Sequence, residues 1–273
     1  MGNAFFVVWR ESLEAFLIAG ILFAWLKAND DSGRGRRALS LGLACGVGLA
    51  LLLGWALLAI QDELTGNALE AFQTGILVLA SGLITQMVLW MRKHGRQIKS
   101  KLHTDLSAAS KRSGFLGVAV VAALAVAREG AETVVFLYGL AQEGDMAALT
   151  IGAFTGLLAA AATAWLAVKS LTRLNVGLLL RLSSYLLLIL SSALLVSACD
   201  RLIGAGWLPP LLDPVWDLSF LLDDTSSAGK LLADFSGFRS RPALTTLITW
   251  GGYWVFVFFS FRRSAHFQVA PKS

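Results

Sequence analysis

Two short charged motifs lie inside stretches that are otherwise apolar enough to form membrane helices. They are Arg10-Glu11-Ser12-Leu13-Glu14 and Arg128-Glu129-Gly130-Ala131-Glu132. Both have the form Arg-Glu-x-x-Glu. Residues three or four positions apart share one face of a helix, so each motif presents two carboxylates together and its arginine can reach the second glutamate. If the two helices face each other, four carboxylates converge on one small volume.

The energetic cost of these charges indicates a function. A charged side chain at the centre of a membrane helix costs roughly 2.5–3.5 kcal/mol, so six of them would cost on the order of 15–20 kcal/mol if they were unpaired. They must therefore be paired, hydrated or ligand-bound. Four ionised carboxylates against two arginines leave a local charge of about −2, and carboxylate oxygens are hard donors. This arrangement suits a hard multivalent cation.

Other readings of the motifs stay open at this point. Each Arg-Glu pair could be an interhelical clamp with no ligand, and a set of glutamates could also relay protons. An imidazole site for zinc or copper is disfavoured, because His94, His103 and His266 lie in a predicted loop and in the tail.

The composition predicts an all-α polytopic membrane protein. Of the 273 residues 56% are hydrophobic, the mean hydropathy is +0.67, and the apolar residues come in blocks of about 20. No separate soluble domain is apparent. Seven transmembrane helices are predicted, at about 4–26, 39–60, 71–91, 114–140, 146–168, 176–199 and 244–261.

The charges of the connecting segments predict the orientation of the chain. Basic and acidic connections alternate along the sequence, and seven basic side chains fall between residues 92 and 112. The positive-inside rule then places the N-terminus outside and the C-terminus inside, and it accounts for the net charge of +5 without a nucleic-acid partner. The acidic connections, predicted to be outside, contain Asp62, Glu63, Glu70, Glu143, Asp145, Asp213, Asp217, Asp223, Asp224 and Asp234.

No cleaved leader is expected, because no basic segment precedes the first apolar run and that run carries the first motif. Cys45 and Cys199 both fall in apolar runs without a CxxC spacing, which predicts small packing residues.

The chain contains a predicted internal repeat. The first and fourth helices carry the charged motifs, and the second and fifth carry Gly42-x-x-x-Gly46 and Gly152-x-x-x-Gly156. Three helices per copy would insert the second copy upside down, a common transporter plan with a site near the membrane midplane. Repeat one covers about 4–91 and repeat two about 114–199. An outer loop at about 200–242 and the seventh helix at about 244–261 lie outside this 3+3 inverted repeat.

The sequence resembles the oxidase-dependent iron permease family, which includes the bacterial ferrous and ferric iron uptake permeases. The resemblance covers nearly the whole chain. It is carried by the doubled motif, by Met87-Val88-Leu89-Trp90-Met91-Arg92-Lys93 at the end of the third helix, and by Ala125-Val126-Ala127-Arg128-Glu129-Gly130. The resemblance implies iron import across the cytoplasmic membrane, with Glu11, Glu14, Glu129 and Glu132 as iron ligands and Arg10 and Arg128 as their partners. It also implies an oxidase or an extracytoplasmic iron-binding protein as a partner.

The acidic residues near the start of the third helix are candidates for a cation entrance. They are Asp62, Glu63 and Glu70, and simple solvated loop charge explains them equally well. Members of the resembled family often have a second glutamate where this chain has Gln73, whose amide oxygen could still face a cation but attracts it less.

The function predicted from these observations is an iron permease, with iron as transported substrate and no cofactor. Ferric iron is favoured because it is the harder ion, and ferrous iron is the other form considered. The alternatives are the same fold carrying another metal such as lead or manganese, and a membrane scaffold with Arg-Glu clamps. An enzyme is not expected, because no nucleophile–base arrangement and no phosphate-binding glycine loop is present.

Overall fold

The structure, a computed structural model, describes residues 2–29, 33–94, 98–142, 145–169, 176–220 and 226–266. Glu143, Asp223 and Asp224 of the predicted acidic loops lie outside these ranges. All regular structure in the described ranges is helical. The helices are α1 (Gly2–Asn29), α2 (Arg34–Glu63), α3 (Gly66–His94), α4 (Ile98–Ala141), α5 (Met146–Lys169), α6 (Val176–Gly204), α7 (Ser227–Ser236) and α8 (Leu244–His266).

Five of these helices, α2, α3, α5, α6 and α8, are long and apolar enough to cross a membrane. The helices that carry the motifs, α1 and α4, are not in this set, although their 28 and 44 residues exceed the roughly 20 that a span needs. Seven membrane helices and the orientation of the termini therefore stay predictions.

Two helical segments differ from the sequence-based expectation. The connection predicted between the third and fourth helices is helical from Ile98, so α4 extends well beyond the apolar run that hydropathy marks. The predicted outer loop contains α7, which is too short for a hydropathy window. Ser226 caps α7 by accepting a hydrogen bond from the Gly229 N–H at 3.0 Å, and Gly237 ends it with a left-handed φ of 73°.

The helices form two compact units. One comprises Met1–Glu63 and His94–Leu180, and contains α1, α2, α4 and α5. The other comprises Leu64–Lys93 and Arg181–Ser273, and contains α7 and α8, nearly all of α3 and most of α6. Both charged motifs belong entirely to the first unit.

In the first unit, a series of small residues lets α2 and α4 approach closely. A methyl group on Gly46 would lie 2.8 Å from the Ala123 carbonyl oxygen, and one on Gly130 would lie 2.5 Å from Ala50 Cβ. Further along, Gly54 faces Val134. From one contact to the next, the residue numbers increase on both helices, so α2 and α4 run parallel. Small residues serve this purpose in membranes because close backbone approach increases van der Waals contact where no hydrophobic force drives association.

A matching close approach joins α1 and α5. A methyl group on Gly156 would lie 2.5 Å from the Phe5 carbonyl oxygen and 3.1 Å from the Trp9 nitrogen. In the sequence, Phe5 precedes Arg10 by five residues and Trp9 precedes it by one. Gly46 approaches Ala123 and Ala127, which precede Arg128 by the same numbers of residues. The second glycine of each Gly-x-x-x-Gly pair thus lies against the same turn of a motif helix.

In the second unit, Ser81 of α3 and Ser191 of α6 form a reciprocal contact. Each hydroxyl lies within hydrogen-bonding distance of the other residue's carbonyl oxygen, at 2.9 Å for Ser81 Oγ and 2.8 Å for Ser191 Oγ. The two serines are 110 residues apart, as are Gly46 and Gly156. Tyr253 of α8 adjoins the serine pair, and its hydroxyl oxygen lies 3.1 Å from Thr85 Oγ1 of α3.

The α2–α4 contact predicts opposite effects for two glycines of α2. Gly46→Ala should lower stability by about 1–3 kcal/mol through overpacking, whereas Gly48→Ala should be neutral or stabilising by up to about 1 kcal/mol through helix propensity. Gly48 has nothing within 4 Å of an added methyl group. Thermal unfolding in detergent measures both, and equal effects of the two substitutions would contradict the close approach.

The reciprocal serine contact predicts coupled energies. Ser81→Ala and Ser191→Ala should each destabilise by about 0.5–2 kcal/mol, and the double variant by less than their sum because both remove one shared contact. Ser192→Ala is the matched control, because the Ser192 hydroxyl donates to Ile189 O within its own helix. A double-mutant cycle of unfolding free energies provides the measurement, and strict additivity of the two substitutions would contradict the contact.

Candidate functional site

In α1, one buried guanidinium holds both motif glutamates. Arg10 Nη1 lies 2.8 Å from Glu11 Oε1, and Arg10 Nη2 lies 2.9 Å from Glu14 Oε1. The side chains of Arg10 and Glu11 have no exposed surface, and Glu14 is 13% exposed. Arg10 therefore neutralises charge within its own helix and fixes the direction in which both carboxylates point.

In α4, the corresponding arginine has a different environment. Arg128 Nε lies 3.0 Å from Glu132 Oε1, but the Arg128 side chain is 50% exposed. Glu129 is buried, and the Thr133 hydroxyl donates to the Glu129 carbonyl oxygen at 2.8 Å. The two motifs, so similar in sequence, thus differ in how deeply their arginines are buried.

Three of the four motif glutamates come together. Glu11, Glu129 and Glu132 each offer a carboxylate oxygen, and these three oxygens lie within 4.8 Å of one another. Hard cations hold oxygen ligands at about 2.0–2.6 Å, so ligands on opposite sides of one ion lie about 4–5 Å apart. The spacing therefore fits a single ion. Glu14 is outside this group of three and is held by Arg10.

These three carboxylates also have unused acceptor atoms. The Oε2 atoms of Glu11, Glu129 and Glu132 are buried, and within the described part of the chain none has a hydrogen-bond partner. A buried acceptor without a partner costs about 1–3 kcal/mol, more when it is charged. Protein structures tolerate such groups mainly where a ligand, an ion or a proton completes them.

The close contact of α2 with α4 positions two of these glutamates. Gly130 lies between Glu129 and Glu132 in sequence and faces Ala50, where no larger side chain would fit. In the first motif the corresponding position is Ser12, which is partly buried. The α2 contact therefore explains why the second motif reads Arg-Glu-Gly.

The four predicted entrance residues divide between the two units. Asp62 and Glu63 are exposed at the end of α2, and Glu70 is exposed on α3. Gln73 is partly buried, and its Oε1 accepts a hydrogen bond from Arg201 Nη1 at 2.9 Å. A cationic group on this oxygen opposes a role for Gln73 in attracting cations.

Sequence reasoning missed Arg201 and a polar contact at the end of α2. Tyr138 of α4 and Gln142, the residue after its end, both donate to Gln61 Oε1, the latter at 3.2 Å. Arg201 could have been noticed as a basic residue at the start of the predicted acidic outer loop. Gln61 and Gln142 could have been noticed as amides at the ends of two apolar runs.

The two arginines predict unequal losses of stability. Arg10→Gln should destabilise by about 3–5 kcal/mol, because it leaves Glu11 and Glu14 without their buried counter-charge. Arg128→Gln should cost less, because the Arg128 side chain is half exposed whereas that of Arg10 is fully buried. Unfolding midpoints in detergent test this ranking, and a larger loss for Arg128→Gln would contradict the burial difference.

Comparison with known proteins gives consistent matches over most of the chain. Residues 1–263 match the Iron permease FTR1 family. The chain is 29% identical over 248 residues to the Ferrous iron permease EfeU of Escherichia coli (strain UTI89 / UPEC) and of Shigella sonnei, covering 90% of each chain. It is 28% identical over 243 residues to that of Yersinia pestis, covering 88% of this chain and 86% of the relative. No solved structure matches.

Proposed function

Because this multi-pass membrane protein belongs to the iron permease FTR1 family, we propose that it imports iron across the cytoplasmic membrane through the carboxylate site of its two motifs. The observation that carries the proposal is the convergence of Glu11, Glu129 and Glu132, whose oxygens lie within 4.8 Å of one another. Iron is the transported substrate, and its ligands are the three converging glutamates, with Glu14 as a fourth.

The chemistry of the four glutamates fits transient binding of a cation. If all four are ionised, the two arginines leave a charge of about −2, which attracts a multivalent cation. Arg10 holds Glu11 and Glu14 in place while the site is empty, and Arg128 does the same for Glu132. Carboxylate oxygens without a protein donor keep their lone pairs for a cation, so the unused Oε2 atoms support a role as ligands.

The proposed architecture is the 3+3 inverted repeat with one further helix, N-terminus outside and C-terminus inside. Two observations support the repeat: the equivalent approach of Gly46 and Gly156 to the two motif helices, and the reciprocal contact of Ser81 with Ser191. Under this relation α7 is an insertion and α8 the added helix.

In this proposal iron enters from the acidic outer side, where Asp62, Glu63 and Glu70 are exposed. Rearrangement of one repeat or protonation of a glutamate then releases it inward. An oxidase or an extracytoplasmic iron-binding protein supplies the ion. The hard carboxylate donors favour ferric iron, whereas the names of the relatives specify ferrous iron, so both forms belong in the transport assay.

Substitution of the converging glutamates should abolish transport. Glu11→Gln, Glu129→Gln and Glu132→Gln each keep the side-chain shape but remove a charge and an ionic ligand. We expect a loss of radio-iron uptake into proteoliposomes of at least about tenfold for each, which corresponds to about 1.4 kcal/mol of lost interaction. Ferric and ferrous iron are supplied separately, and unfolding curves verify that each variant is folded.

Asp145→Asn is the matched control, because Asp145 is an exposed acid whose carboxylate only caps the start of α5 through Ala147 N at 3.0 Å. It should leave uptake unchanged. Folded Glu→Gln variants that still take up iron at the wild-type rate would contradict the carboxylate site. Uptake of manganese or lead in place of iron would reassign the substrate, and a purified protein that binds no metal would indicate the scaffold.

A further inference from the structure

Beyond metal transport, one segment between α6 and α8 displays an unusual surface. Residues 207–216, here called the outer apolar segment, read Trp-Leu-Pro-Pro-Leu-Leu-Asp-Pro-Val-Trp and contain no helix. Four of its large apolar side chains are exposed, namely Trp207 (47%), Leu211 (65%), Leu212 (56%) and Trp216 (41%). Several large apolar side chains exposed within ten residues are typical of an interaction site.

The outer apolar segment is held firmly against the start of α8. The Leu212 carbonyl oxygen accepts a hydrogen bond from Leu244 N at 2.9 Å, and the Pro209 carbonyl oxygen accepts one from the Thr245 hydroxyl at 2.6 Å. Val215 N donates to the Pro242 carbonyl oxygen at 2.9 Å. The first turn of a helix has backbone N–H groups without partners in the helix, and the segment supplies a partner for Leu244.

The backbone of the segment also directs its leucines outward. Leu211 has a φ of 64°, a left-handed conformation that L-residues other than glycine seldom adopt. At the other end, Trp207 N donates to the Leu202 carbonyl oxygen of α6 at 2.9 Å. Tied at both ends, the segment keeps Leu211 and Leu212 on the outside of the chain.

The position of the segment identifies what covers it. The membrane-length part of α8 begins at Leu244, the residue that the segment caps, so the segment lies level with the end of a membrane span. One turn beyond Leu244, Ile248 of α8 is also exposed, at 59%. Tryptophan is enriched at this depth, because its ring is apolar and its N–H reaches polar headgroups.

One acidic charge beside the segment is balanced by a basic partner. Asp217, just beyond the segment, is paired with Arg241 at 2.9 Å. The Ser219 hydroxyl and the Arg241 guanidinium together lower the pKa of Asp217 to about 2, so this pair stays neutral overall at physiological pH.

We infer that the outer apolar segment is a membrane-interface anchor, which inserts Trp207, Leu211, Leu212 and Trp216 into the headgroup–acyl boundary of the bilayer. The ligand is the lipid surface itself. The anchor fixes the height of the α6–α8 connection in the membrane.

Depth-dependent fluorescence quenching tests the anchor. The full chain carries Cys45→Ser, which removes its exposed thiol while Cys199 stays buried. An environment-sensitive fluorophore is attached at Leu212→Cys, at Trp216→Cys in a second variant, and at Leu51→Cys as the reference for the bilayer interior, since Leu51 is 68% exposed near the middle of α2. Each protein is reconstituted into phosphatidylcholine vesicles with nitroxides at the headgroup, at carbon 5 or at carbon 14.

For positions 212 and 216 we expect a blue-shifted emission, the greatest loss of fluorescence with nitroxides at the headgroup or carbon 5, and little loss with aqueous iodide. The label at position 51 should lose most with the carbon-14 nitroxide. Labels at both segment positions that respond to iodide and to none of the lipid nitroxides would overturn the anchor and leave the surface to a protein partner. Greatest quenching at carbon 14 would overturn it too, because the segment would then lie in the bilayer core. The assay involves no metal, so its result is independent of the proposed transport.

Discussion

The burial of Arg10 between Glu11 and Glu14 is the interaction on which the rest of the site depends. An isolated ion in an apolar interior costs several kcal/mol even after relaxation, and breaking a buried pair costs about 3–5 kcal/mol. Here one guanidinium pairs with two carboxylates through separate nitrogens at 2.8 and 2.9 Å. With one of the two negative charges on α1 balanced locally, an oxygen of Glu11 can remain unused beside those of Glu129 and Glu132.

The second requirement is that the motif helices stay close to their neighbours. The glutamates can converge only if α4 is fixed in both rotation and depth, and the small residues of α2 achieve this by direct backbone contact. Gly46 contacts α4 just before its motif, at Ala123, and Gly130 contacts α2 from within the motif. A side chain at either position would displace α4 and its carboxylates.

Much of this arrangement follows from the sequence because it depends on local rules. Helical spacing predicts that Arg10 reaches Glu14, and residue size predicts that Gly46 and Gly156 mark close contacts. The unequal exposure of Arg10 and Arg128 could not be predicted, because the two motifs are alike and only tertiary surroundings distinguish them. The same holds for Gln73, whose partner Arg201 lies 128 residues away. The helix α7 was not predicted, because it is too short for a hydropathy window.

The pairing within α1 also bears on the order in which the chain is made. This helix is synthesised before α4, which contributes the opposing glutamates, and before α5, which contributes the Gly156 contact; these helices begin only at Ile98 and Met146. If α1 spans the membrane as proposed, it resides in the bilayer during that interval with three charged side chains and neither of these neighbours. Since Arg10 pairs with residues one and four positions along its own helix, one of the two negative charges is compensated without any other segment. In the proposed topology, the Arg-Glu-x-x-Glu spacing would therefore lower the cost of keeping this acidic helix in lipid until its neighbours are inserted.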